Sequence, residues 1–352
     1  MKFSLEMGNY SSIYKLAMVA FSALVIQSCG KKEPLVVDNG QIIIKPYSLY
    51  VVDTFGQIIN TNDGNTYRTS FDPSGLPGRA IATSGENIIW AQSTGLWSMD
   101  QQDKPSLQFN PIKISISPIA FNQSMILDVP DQHRIYMAGN QGKGVIYSDS
   151  NGKEGTWKVD NAFSPTLPGN VLMTSFALLD DGAVAGYDYV NNRTFIKPGI
   201  DDFWQEKKNT NLPAGGKFFI SHLRNTLVAA DSSGAKGIFY SEDKGDTWKA
   251  YTGLPTGAKV LCMQPIFGQS LLVGTVKDGL FRLPLNSTVL EKANQGIDQG
   301  ATIRGIASKS NLYKNDRIVQ LVYLATDKGI YRSQDLGITW FLAKPDNAVL
   351  IY

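Results

Sequence analysis

"SEDKGDTW", Ser241 to Trp248, places turn-forming residues directly before a large aromatic, and the chain repeats the arrangement as "SQDLGITW", Ser333 to Trp340. In each octet the Asp can accept bonds from backbone N–H groups a few residues on, and Gly245 or Gly337 can take a positive φ. The tryptophan then opens a strand-like run, so the octet reads as a hairpin turn closed by an aromatic that buries much of roughly 150 to 250 Å². The two octets begin 92 positions apart. That is twice about 46, and a repeat period of 20 to 50 residues marks a solenoid, a propeller or an array.

Further copies follow outward from the octets. "GIFYSED" from Gly237 and "GIYRSQD" from Gly329 share their glycine, aliphatic and aromatic positions with "GVIYSDS" from Gly144, "GLFRLPL" from Gly279, "GLWSMD" from Gly95 and "GQIINTND" from Gly56. A weaker copy runs from Arg193 to Trp204. The octet itself persists in altered form at Asn60 to Tyr67, with Asn and Tyr substituted, and at Ser148 to Trp157, with two extra residues before Thr156. Seven units use up the chain beyond residue 40.

Each unit divides into four short strands. Around Gly237 they are "KFFISHL", "NTLVAAD", "GIFYS" and "TWKAY"; around Gly279 they are "KVLCMQPI", "SLLVGTV", "GLFRLPL" and "TVLEKA". All are rich in β-branched and aromatic residues and bounded by turn formers. Between units stand "GLPG" (Leu76, Pro77), "TLPG" (Leu167, Pro168), "NLPAG" (Leu212, Pro213) and "GLPTG" (Leu254, Pro255). Proline fixes φ there, which gives a rigid crossing from one outer strand to the next inner strand, with the leucine filling the gap between units. The expectation is an all-β fold, a seven-bladed β-propeller of four-stranded antiparallel blades over residues 41–352. Closure must pair the two ends of the chain, because an open ring leaves strand edges unpaired. "NAVLIY", Asn347 to Tyr352, is expected to complete the blade begun at "SLYVVD", Ser48 to Asp53, and "QIII" from Gln41 competes for that place.

With the repeats in view, the pattern Ser-X-Asp-X-Gly-X-Thr-Trp resembles the Asp-box, or BNR repeat, of sialidases, sortilin-type receptors, xyloglucanases and photosystem assembly-factor-like propellers. The residues that carry the resemblance are Ser241, Asp243, Gly245, Thr247 and Trp248, and Ser333, Asp335, Gly337, Thr339 and Trp340. It implies that these turns are structural and lie on the face opposite the ligand-binding mouth.

The first residues have a different character. Lys2 and Lys15 precede the uncharged run "LAMVAFSALVI", Leu16 to Ile26, which is shorter than the roughly 20 residues of a membrane-spanning helix and suits a signal-peptide core. "IQSC", Ile26 to Cys29, resembles the bacterial lipobox. That resemblance implies a signal peptide over 1–28, acylation of Cys29, a tether over 29–40 and attachment to a membrane through lipid. Gly30 in place of Asp after Cys29 resembles proteins sent on to the outer membrane.

Composition excludes several classes. The chain of 352 residues carries 33 Lys and Arg against 31 Asp and Glu and no long single-sign run, so the electrostatic footprint expected of a nucleic-acid binder is missing. Its second cysteine, Cys262, sits in an apolar strand as a small buried hydrophobe, so no disulfide is expected. His133 and His222 fall in or beside turns with no Cys or carboxylate at ligand spacing, and neither a metal nor a cofactor is expected.

An enzyme of the sialidase kind needs an Arg-Ile-Pro motif, three arginines on the substrate carboxylate and a Tyr activated by Glu. The chain has Arg134-Ile-Tyr and Arg317-Ile-Val instead, and its glutamates fall in turns, outer strands or the tether. Asp72, Asp188, Asp231, Asp278 and Asp327 fall in mouth loops, where a pair would suit a glycoside hydrolase and single residues suit turns. The candidate mouth comprises Asp72, Arg79, Tyr187, Asp188, Tyr189, Arg193 and Asp231, a mixture suited to contact with a protein or a glycan. Tyr187 and Tyr189 equally suit a strand core. The sequence thus points to a monomeric, non-catalytic binding or assembly module, with a glycoside hydrolase as the alternative.

Overall fold

The computed structural model describes residues 37–38, 41–45, 48–54, 56–62, 64, 66–71, 78–85, 87–92, 95–99, 106–109, 126–138, 145–164, 171–313 and 317–352. Cys29 and Asp72 lie outside them, as do Leu76, Pro77, Leu167 and Pro168 of the crossings. The described strands gather into seven antiparallel meanders, each of four strands in its core. Blade 5 is typical: Phe218–Leu223, Thr226–Asp231, Ile238–Ser241 and Lys249–Ala250 run from the axis outward. Its register pairs Ala229 with Ile220 on one side and Phe239 on the other.

Seven inner strands line the axis: Ala348–Ile351 in blade 1, then Gly78–Ser84, Ile126–Val129, Ser175–Leu178, Phe218–Leu223, Val260–Ile266 and Ile303–Tyr313. Every repeat anchor read from the sequence opens or precedes a third strand, including the weak copy at Arg193. The C-terminal strand closes the ring. Val51 pairs with Ile351 and Val52 with Leu350, so the last residues supply the inner strand of the first blade. Gln41–Lys45 goes elsewhere, to the far end of the long inner strand of blade 7, where Ile43 pairs with Tyr313. Val37–Asp38 pairs in turn with that segment, so part of the stretch expected as a tether is strand.

The core is a ring of inter-blade layers. One apolar cluster joins blades 2, 3 and 4, and others join 4 with 5, 5 with 6, 6 with 7, 7 with 1 and 1 with 2. Both faces of each sheet are covered, which is why the strands read as almost continuous apolar runs. Leu212 of the crossing lies in the layer between blades 4 and 5, and buried Cys262 in that between 6 and 7. Burial pushes the Cys262 thiol up to about 12, and its Sγ lies 3.6 Å from the Ile303 carbonyl.

Candidate functional site

The meander sorts the connections by end. Turns between first and second strands (A–B) and between third and fourth (C–D) emerge at one end of the ring; B–C loops and the crossings between blades emerge at the other. Both octets are C–D turns. Ser241 Oγ donates to Asp243 Oδ1 at 2.7 Å and accepts from Gly245 N at 2.7 Å, while Thr247 donates its N–H and hydroxyl to the same carboxylate at 2.8 and 2.6 Å. Ser333, Asp335, Gly337 and Thr339 repeat every bond. Burial would raise the Asp243 pKa, but the bonds from Thr247 and Ser241 outweigh it and hold the carboxyl at about 2. Asp335 is lowered by the same arrangement.

The altered copies keep only part of this. Ser148 Oγ meets Thr156 Oγ1 at 2.6 Å and accepts from Gly152 N at 3.2 Å. In blade 1 the hydroxyl belongs to Thr61, which accepts from Gly64 N at 2.9 Å, one residue later than Asn60, where the pattern sets its serine.

The tryptophans reach across blade boundaries. Trp204 Nε1 donates to Asp160 Oδ2, Trp248 Nε1 to Asn209 Oδ1 and Trp340 Nε1 to the Ala293 carbonyl, each acceptor belonging to the preceding blade or its exit. Parallel bridges run along the same seam, pairing Phe163 with Trp204, Thr210 with Thr247, Thr252 with Val289 and Gln295 with Thr339. The octet is therefore a clamp between blades as well as a hairpin turn. Close approach demands glycine at this seam: a Cβ on Gly253, at φ 90°, would meet the Leu290 carbonyl oxygen at 2.1 Å.

At the opposite end stand the residues expected to form the mouth. Asp188 accepts from Leu172 N, Asn191 N and Asn191 Nδ2, tying the crossing into blade 4 to its B–C loop. Asp231 does the same for blade 5, accepting from Lys217 N, Ser233 N, Ser233 Oγ and Lys236 N. Burial opposes ionisation of Asp231, yet these bonds hold its pKa below the ordinary value. Arg193 forks onto both oxygens of Glu206 at 2.7 and 2.9 Å and lies over the Phe195 ring, the Glu206 bond raising its pKa against a smaller burial effect. Tyr187 is fully buried, its hydroxyl donating to Asn192 Oδ1 at 2.6 Å, and burial raises its pKa. Tyr189 is half-buried against the layers flanking blade 5. Arg79 belongs to the inner strand of blade 2, and its side chain, like all of Asp72, falls outside the described residues.

Exposed lysines recur at this end by position. Lys236, Lys277 and Lys328 each stand one or two residues before the glycine that opens a third strand, and Lys217 and Lys259 each precede an inner strand. The backbone joins the two sets, since Ser232 N donates to the Lys217 carbonyl and Val276 N to the Lys259 carbonyl. None of the five has an ion-pair partner among the described residues. Ion pairs gather at the other end. Arg134, Lys158, Lys207, Lys244 and Lys249 all pair with carboxylates of A–B or C–D turns, namely Asp149, Asp246, Asp181 and Glu242.

A third feature gave no signal in the sequence. Near the A–B end the axis holds a cavity of about 260 Å³, whose lining includes Leu127, Phe176, Met263 and Ile306 together with Asp128, His222 and Lys309. His222 stands beside an A–B turn as expected, but it is half-buried and lines this cavity, and burial lowers its pKa against the pull of Asp180. The periodicity of an inner strand does not say which edge faces the axis, so this convergence is visible only in three dimensions.

Comparisons with known proteins agree with this architecture. No family model matches the chain, and no curated protein matches it. Among solved structures it is similar to a catalytically inactive virginiamycin B lyase from Staphylococcus aureus with quinupristin, at 15% identity and TM-score 0.56, over 82% of this chain and 92% of that one. It is also similar to YCF48 bound to D1 peptide, at 11% identity and TM-score 0.51, over 84% and 98%. What they share is the β-propeller. A third similar structure, the extracellular domain of the hybrid two-component system BT4673 from B. thetaiotaomicron, gives 14% identity and TM-score 0.51, over 74% of this chain and only 32% of that one.

Proposed function

We propose that this chain is a non-catalytic cell-envelope lipoprotein of the Asp-box kind, anchored through Cys29 in the outer membrane, monomeric, and presenting the B–C end of its ring to a protein or glycan. The observation that carries the reading is the division of charge. At the A–B end Arg134, Lys158, Lys207, Lys244 and Lys249 pair with carboxylates, whereas Lys217, Lys236, Lys259, Lys277 and Lys328 at the B–C end have no ion-pair partner among the described residues. Such a crescent steers and orients an acidic partner. The carboxylates beside it point away from catalysis, because Asp188 and Asp231 have their oxygens filled by loop N–H groups and Arg193 by Glu206. YCF48, a protein of the same fold, is seen bound to D1 peptide, which is the type of use proposed for this ring.

Photo-crosslinkers placed at Lys236 and at Glu242 of the membrane-extracted protein test this reading. Adducts are expected from Lys236 and not from Glu242, and equal labelling from both ends would overturn it. Intact-mass analysis should show fatty acyl chains that vanish in Cys29→Ser. Turnover of a fluorogenic sialic-acid or β-glycoside substrate would replace the binding module with an enzyme.

A further inference from the structure

Inside the ring, at the end away from the lysine crescent, two half-buried charged side chains of opposite sign line one cavity without pairing with each other. Lys309 lies on the inner strand of blade 7, lining the axial cavity, with its Nζ 4.7 Å from the centroid of the Tyr352 ring. No carboxylate pairs with it among the described residues, and burial alone pulls its pKa down to about 8. Across the axis, Asp128 of blade 3 lines the same cavity, and its Oδ1 is buried with no hydrogen-bond partner. Burial raises the Asp128 pKa, against a bond from Ser84 and the nearby His133.

Each of these groups costs folding free energy. A half-buried ammonium without an anion and a buried carboxylate oxygen without a donor are both unfavourable, and replacing such groups by apolar ones is often stabilising. The two face a common space from different blades, together with neutral-leaning His222 from blade 5 and Ser221, Gln264 and Ser308. A ligand that brings an anion to Lys309 and a donor to Asp128 would satisfy both at once. The volume of about 260 Å³ falls just under the range of about 300 to 1,000 Å³ typical of drug-sized ligands, which limits the occupant to monosaccharide size.

We propose that this axial cavity binds a small organic carboxylate bearing hydroxyl groups, such as a sugar acid, with Lys309 receiving the carboxylate and Asp128 accepting a hydroxyl. The apolar walls flank the carbon skeleton, and the Tyr352 ring positions the Lys309 ammonium. This site lies at the opposite end of the ring from the proposed partner surface and does not depend on it.

Calorimetric titration of the intact protein with D-glucuronate and D-gluconate, against neutral D-glucose, is the test. Saturable binding of either acid is expected, with glucose at least about tenfold weaker and Lys309→Met weakening the acid by about tenfold or more. The variant should melt no lower than the wild type, since it removes a half-buried ammonium that has no carboxylate partner, and its crosslinking from Lys236 should be unchanged. Ring and open-chain acids distinguish a cyclic from a linear ligand. No saturable heat from either acid up to ~10 mM, equal binding of glucose, or undiminished binding in Lys309→Met would overturn the proposal. The glucose comparison on the wild type needs no variant and decides the matter even if Lys309→Met fails to fold.

Discussion

Trp248 of blade 5 donates its indole N–H to Asn209 Oδ1, on the exit from blade 4, at 3.1 Å. The side chain that closes one blade's outer hairpin thereby fastens it to its neighbour. Trp248→Ala is expected to cost about 3 to 5 kcal/mol by loss of buried aromatic volume. Asn209→Ala, which leaves the indole N–H without its acceptor, should cost about 1 to 3 kcal/mol. Urea unfolding measures both, and the double variant should fall short of the sum because the two residues share one contact.

Asp243 is held at about 2 by its bonds from Thr247 and Ser241 despite the opposing effect of burial. A carboxyl with a depressed folded pKa contributes stability above its ordinary range and loses it as pH falls from about 4 towards 2. Wild type should therefore lose stability over that window, and Asp243→Asn, less stable at pH 7, should lose less. Melting curves from pH 7 down to pH 2 provide the comparison. Because Asp243 is exposed, solvent screening keeps the difference modest.

Gly337 has φ 87°, and a Cβ there would come 2.8 Å from Leu272 Cδ1 of the preceding blade. Backbone strain and the steric clash act in the same direction. Gly337→Ala should destabilise by about 1 to 3 kcal/mol, whereas Gly182→Ala, at φ 84° with open space around it, should show the backbone component alone. Denaturation midpoints of the pair separate the two contributions.

Lys197 is almost fully buried, with its Nζ 3.1 Å from Asp160 Oδ2, the oxygen that also accepts from Trp204 Nε1. Asp160→Ala would leave an uncompensated buried ammonium and an unpaired indole, at a cost of about 3 to 5 kcal/mol. Asp160→Asn should recover part of this by keeping an acceptor for the tryptophan. Unfolding free energies of the two variants check the order.

A chain ending at Pro345 lacks Ala348–Ile351, the inner strand of blade 1. It would expose the edge of Leu49–Asp53 and open the layer that joins blades 7 and 1. Loss of the cooperative transition and a shift to aggregates in size-exclusion chromatography are expected; a melt matching the full chain would contradict this account of closure.

How the fold and its surfaces were specified divides along physical lines. Strand period and anchor spacing are local properties repeated in seven units, and the octet recurs in several of them, so the sequence by itself determined the blades, their strand order and the octets as C–D turns. Closure was narrowed to two segments, since Asn347–Tyr352 and Gln41–Ile44 are both short apolar strands, and only pairing in space assigned the first to blade 1 and the second to blade 7. The B–C loops were legible as a set gathered at one end, but not their internal bonding. Asp188 and Asp231 look alike as turn residues or ligands in one dimension, and it is the crossing from the previous blade that occupies their oxygens. The tertiary structure alone brought Asp128, His222 and Lys309 to one cavity, because each comes from a different blade and which edge of a strand meets the axis is set by ring closure, not by residue pattern.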